Sequence, residues 1–274
     1  MSRKNDENDL LFPMNKSVSK SSSIVSWNDP DGGVIDFLSY LPTVKGPKFR
    51  NIRRKWDGLA LLDDDTVIEA WAAENELESR SKGANAMALI ASGGNLGFCI
   101  NALLTIEGIE AGNFPDPVPY SLWNLFQTKS RFFIEPFDEQ WENWLLRKAD
   151  RMVKFRTLLA SIGSGRRFRK HLQKLQKSVV EKTHSTGYPS LAIAAVETWW
   201  NLNERTIGEE LILERDNRFS ARMRGALNCL KELKLEKTQD VRLLVISNFQ
   251  WIQNLIVSLN TLPKPEKVEP YMKD

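Results

Sequence analysis

Apolar residues recur along most of this chain at spacings of three, four and seven, the period of a helix with one face turned to a core. The clearest case follows Pro136, where Phe137, Trp141, Trp144, Leu145, Met152, Phe155 and Leu159 keep that spacing. It predicts a helix to about Ile162, stopped by Gly163-Ser164-Gly165, and a second helix from Arg166 to about Thr183. Thr66-x-x-Glu69 has the form of a capping box, which satisfies free N–H groups of a first helical turn, and Val67, Trp71 and Ala72 follow at helical spacing. A long helix is expected there. Others are expected from near Tyr120, from Pro189 to Asn203, from a second capping box (Thr206-x-x-Glu209) to about Lys234, and from Gln239 to Leu262, where Pro263 and Pro265 end it.

Strict alternation of apolar and polar residues survives only in short pieces such as Arg131 to Ile134, and no fixed-period repeat is present. The expected fold is therefore all-α, a multi-helix globular chain. Residues 1–25, polar and serine-rich, are expected as a disordered tail. Residues 26–114 form an N-terminal helical region with an irregular basic lead-in, and residues 115–274 a C-terminal helical domain. Pro115, Pro117 and Pro119 mark the extended connector between them. Gly83 to Ile106 is uncharged and long enough to span a bilayer, but Asn85, Asn95, Asn101 and Gly93-Gly94 interrupt it. Two buried helices joined at Ser92–Asn95 are expected instead, and no membrane.

Composition is that of a folded chain: 274 residues, 42% hydrophobic and 27% charged. Cys99 and Cys229 both lie in apolar stretches, where a free thiol packs as a small hydrophobe. The opening MSRKNDENDL lacks the apolar run of a secretory signal, so an intracellular, cytoplasmic-type reducing compartment is expected.

Motifs that carry chemistry are sparse. With only His171 and His184 and two distant cysteines, no zinc site is expected, and Glu181-x-x-His184 is one half of a helical di-iron pattern whose other half is missing. Nucleophile elbows, Walker loops and dinucleotide fingerprints are absent. Asp63-Asp64-Asp65 has oxygens for a hard cation, yet acidic residues ahead of a helix are favoured by its dipole, and that capping reading is preferred. No catalytic residue, metal or cofactor is expected. An enzyme would require Asp63 to Asp65, or Glu139 and Glu142, to converge in a pocket.

Charge changes the picture through its distribution, since the net value is only +3. Residues 61–150 carry 6 basic and 15 acidic residues, whereas residues 151–182 carry 10 basic and 1 acidic. On a helical wheel Phe168, Leu172, Leu175 and Val179 share one arc, and Arg167, Lys170, Lys174 and Lys177 form the opposite ridge, about 15 Å long. Arg166 stands at its start, beside glycines whose N–H groups suit an anion. Arg215, Arg218 and Arg222 make a second row, and Arg50, Arg53, Arg54 and Lys55 a third cluster. These twelve residues are the candidate contacts to a phosphate backbone. The expected function is sequence-non-specific binding of nucleic acid, DNA or RNA undecided, within an oligomer or nucleoprotein complex. The alternative is a helical scaffold whose acidic and basic faces dock onto protein partners or other copies of the chain.

Overall fold

A computed structural model describes residues 24–46, 55–153, 163–176, 188–234 and 241–272. It corrects the all-α expectation, because five strands form one mixed sheet within the helical chain: β1 (Ile24–Asn28), β2 (Val34–Tyr40), β3 (Gly58–Leu61), β4 (Ser130–Phe133) and β5 (Arg242–Asn248). Their order is β1-β2-β5-β3-β4. β1 and β2 are an antiparallel hairpin, and β2, β5, β3 and β4 run parallel. At the hairpin turn the Asp29 carboxylate accepts the Asp31 N–H at 2.8 Å. Gly32 and Gly33 there take φ of 92° and 90°, which side chains rarely tolerate.

The strands escape a search for alternation because both faces of the sheet are covered, which replaces alternation by continuous apolar runs. Along β2, Ile35 and Phe37 enter one core and Leu38 the other; along β5, Leu243 and Val245 enter the first, Leu244 and Ile246 the second. The expected helix Gln239–Leu262 is thus a strand followed by a helix that begins only at Phe249. Ile24 and Val25, assigned to the tail, already belong to β1.

Helices α1 (Val67–Arg80), α2 (Ala84–Ala91), α3 (Asn95–Leu104), α4 (Pro117–Leu125), α5 (Glu139–Val153), α6 (Ser164–Gln176), α7 (Ser190–Ile207), α8 (Glu209–Leu233) and α9 (Phe249–Asn260) complete the described chain. Neither expected capping box forms. Thr66 makes no side-chain cap, and the Asp64 carboxylate accepts its N–H at 3.0 Å. Thr206 lies inside α7, which ends at Gly208 with φ of 85°. The segment 83–106 does form two helices with the break where expected. No helix among the described residues is long and apolar enough to cross a membrane.

Three cores result. Trp141 and Trp144 of α5, Phe219 and Met223 of α8, and Ile252 and Leu255 of α9 cover one face of the sheet. Trp71 of α1 with Val118, Leu122 and Trp123 of α4 cover the other. Each large side chain so buried contributes about 1.5–3 kcal/mol. The third core joins Cys99 and Leu103 of α3, Phe168 of α6 and Ala192, Ala195 and Val196 of α7 to Leu41 and Val44, which directly follow β2. These three helices therefore form a cap at the carboxyl end of the sheet. Strands on both sides of the proline-rich connector belong to the one sheet.

Candidate functional site

Ligands of open parallel sheets bind outside the carboxyl ends of the strands, where successive connections leave to opposite faces and open a crevice. In this chain α1 leaves β3 toward the face carrying Trp71, while α5 leaves β4 and α9 leaves β5 toward the other. The end of β3 is thus flanked by divergent connections on both sides. Backbone bonds beyond the strands, from Ile134 N–H to the Leu61 carbonyl (2.8 Å) and from Glu135 N–H to that of Asp63 (3.2 Å), set Asp63 and Glu135 side by side there.

Both carboxyls line a cavity of about 390 Å³. Its walls come from four helices: Trp141 and Trp144 of α5, Trp200 and Glu204 of α7, Arg215 and Phe219 of α8, and Trp251 of α9, with Leu145 and Met152 also lining it. Hydrogen bonds fix the walls. Trp144 Nε1 donates to the Leu211 carbonyl at 2.9 Å, and the Trp141 and Trp144 rings stack with centroids 4.4 Å apart. Trp141 Nε1 donates to Glu135 Oε1 at 2.9 Å and Trp251 Nε1 to Asp216 Oδ1 at 2.8 Å.

The acids are perturbed. Asp63 is open to solvent, yet protein surrounds it closely enough that burial, then the neighbouring Glu135 and Asp64, push its carboxyl up to about 6. Burial also raises Glu135. Behind them, burial holds the Tyr40 hydroxyl and the Asp116 carboxyl well above their ordinary ranges, and Asp63 acts electrostatically on both. Asn248, opposite Tyr40 in the β2–β5 register, accepts the Gln250 N–H through Oδ1 at 3.2 Å, which leaves its buried Nδ2 without a hydrogen bond. Thr43 Oγ1 and Asp116 Oδ1 are likewise buried and unpaired. Thr43 has φ of 62°, a conformation that costs a β-branched residue about 1–3 kcal/mol. Among the described residues no group of three ligating side chains is placed to hold a metal.

The basic residues expected to bind phosphate have separate fates. On α6, Phe168 is buried, while Arg166, Lys170 and Lys174 are exposed and Arg167 is half-buried. Arg215 is not on the surface: it is 6% exposed, paired with Glu204 at 2.8 and 3.0 Å and with Asp216, and its guanidinium lies 4.5 Å from the Trp251 ring centre. Arg218 binds Asp138 and Glu266. Arg222 donates to the Ile134 carbonyl at 2.5 Å and pairs with Glu266 at 2.8 Å. Lys55 is exposed. Arg50, Arg53, Arg54 and Lys177, like Glu181 and His184, lie outside the described residues.

The chain matches no protein-family model, and no curated protein or solved structure matches it. The acid pair is half visible in the sequence, where Asp63 is one of three carboxylates ahead of a helix and reads as a capping residue. Asp64 accepts the Thr66 N–H without capping α1, and the carboxyl beside Asp63 is Glu135. The available signal was the pair of apolar runs ending in acid, Gly58 to Asp63 and Arg131 to Glu135.

Proposed function

We propose that this chain binds a small molecule in the cleft at the carboxyl end of β3 and β4 and catalyses proton transfer on it, with Asp63 and Glu135 as the acid–base pair. One observation carries this reading: two adjacent carboxyls, both raised by burial, line an aromatic-walled cavity at the crevice of a parallel sheet. A carboxyl near 6 is largely ionised at pH 7 and takes a proton from a bound hydroxyl, water or acidic C–H; below pH 6 the same group donates. Trp141 orients Glu135 through its indole N–H. Arg215, neutralised by Glu204 and Asp216, holds the Trp251 wall in place. The test is a saturation-transfer NMR screen of a small-molecule collection, followed by turnover assays on the hits with wild type, Asp63→Asn and Glu135→Gln. Expected are hits that bind all three proteins and are turned over by wild type alone. Turnover unaffected by tryptophan substitutions in the cavity would overturn the assignment.

A second reading keeps nucleic-acid binding, now confined to α6. It is supported by the exposure of Arg166, Lys170 and Lys174, and by the field around His171, whose pKa is lowered first by burial and then by Arg205, Lys174, Lys170 and Arg167. Fluorescence anisotropy with labelled RNA and DNA oligonucleotides tests it. Binding should weaken steeply with salt and disappear in Arg166→Glu/Lys170→Glu/Lys174→Glu; no binding at low salt removes this reading and leaves the cleft untouched.

A further inference from the structure

A second cavity, of about 470 Å³, lies on the opposite face of β4, between α1, α4 and the C-terminal segment. Arg131 projects into it. This arginine is 9% exposed, and its guanidinium lies 4.3 Å from the Trp123 ring centre and 5.4 Å from that of Tyr271. The guanidinium's one described hydrogen bond runs from Nη1 to the Trp123 carbonyl at 3.4 Å. No carboxylate among the described residues pairs with it. The two other buried arginines differ on this point: Arg215 has Glu204 and Asp216, and Arg224 has Asp29 and Asp31.

An unpaired guanidinium is costly in a buried position, and the fold meets that cost only where the cavity opens. Planar N–H donors match a carboxylate in a two-point fork. The remaining walls describe the rest of the ligand. Trp71 and Tyr120 meet edge to face, with centroids 5.5 Å apart, and offer flat apolar surface, while Asn75, Asn124 and Gln127 supply amide groups. A single cation, set beside a carbonyl of α4 and with no lysine in the lining, suits one negative charge better than a phosphate dianion.

We propose that the Arg131 cavity binds a planar aromatic monocarboxylate, the carboxylate on the guanidinium and the ring against the apolar lining that Trp71, Tyr120 and Tyr271 provide. Burial depresses the Arg131 pKa, and a bound anion relieves that penalty. The site is independent of the Asp63–Glu135 cleft.

Isothermal titration calorimetry on the full chain tests this with 2-naphthoate and its neutral isostere 2-naphthamide. Naphthoate should bind wild type at least tenfold more tightly than the amide, and Arg131→Met should lose at least tenfold in naphthoate affinity while melting no lower than wild type, since a buried unpaired charge has been removed. Asn75→Asp, a change on half-exposed α1, should weaken naphthoate by placing an internal carboxylate in the same cavity; it serves independently of whether Arg131→Met folds. Equal affinity for acid and amide, retained naphthoate binding in a folded Arg131→Met, or no naphthoate binding at millimolar concentration overturns the proposal.

Discussion

Replacing Asp63 by Asn should stabilise the protein at neutral pH and leave it unchanged in acid. The carboxyl rises from its ordinary 3.8 to about 6 in the folded chain, so the native state holds its proton to higher pH than the unfolded state does. Stability is then lost as pH increases from about 4 through 6, because ionising Asp63 beside Glu135 and Asp64 is harder in the cleft than in water. At about 1.36 kcal/mol per pH unit the full effect is about 3 kcal/mol. Water reaches Asp63 within the cleft and screens these charges, which reduces the expected gain to about 1 kcal/mol. No described hydrogen bond depends on the Asp63 side chain, so the amide takes its place without breaking one. Urea unfolding followed by tryptophan fluorescence at intervals from pH 4 to 8 measures the difference directly. Expected is a variant about 1 kcal/mol more stable at pH 8, with the gap closing as the pH falls from about 6 toward 4. A gap of constant size across that range, or a variant less stable at pH 8, would refute the assignment of Asp63 as a destabilised cleft acid.

Other perturbations test the framework. Arg215→Ala leaves Glu204 and Asp216 without their buried partner and should cost about 3–5 kcal/mol in urea unfolding; a loss under 1 kcal/mol would show that the pair does not form. Gly225→Ala places a Cβ 1.6 Å from the Glu266 carbonyl oxygen, so the C-terminal segment must lift from α8. It should lose about 2–3 kcal/mol and become sensitive to proteolysis near residue 266.

How far the fold was legible depended on how each element meets its surroundings. Helices lying on one core, such as α5 with Trp141 and Trp144 turned inward, kept a helical period, and the glycine break between α2 and α3 stood where the glycines stand. Phe137 fitted the same stripe and is 89% exposed, because the helix begins two residues later. The sheet was hidden for a different reason. Val34–Tyr40 and Arg242–Asn248 are seven-residue strands with apolar residues on both faces, and a short segment of that pattern also reads as part of a buried helix. Missing β5 removed the strand that sits between β2 and β3, and with it the crevice where Asp63 meets Glu135 from 72 positions away. The arginines of α8 show the complementary limit. Spacing correctly placed Arg215, Arg218 and Arg222 on one helix, but their partners Glu204, Asp138 and Glu266 come from three other segments. A basic row that is solvated and one that is internally paired look alike in one dimension.

The cleft assignment is tested most directly by ¹H–¹⁵N spectra of the nine indole N–H groups, recorded with and without each small molecule that binds. The resonances of Trp141, Trp144, Trp200 and Trp251 should move together, with Trp27 and Trp56 unmoved, and Asp63→Asn should alter the pH dependence of those shifts near 6. Ligands that are turned over yet leave these four indoles in place would contradict the account.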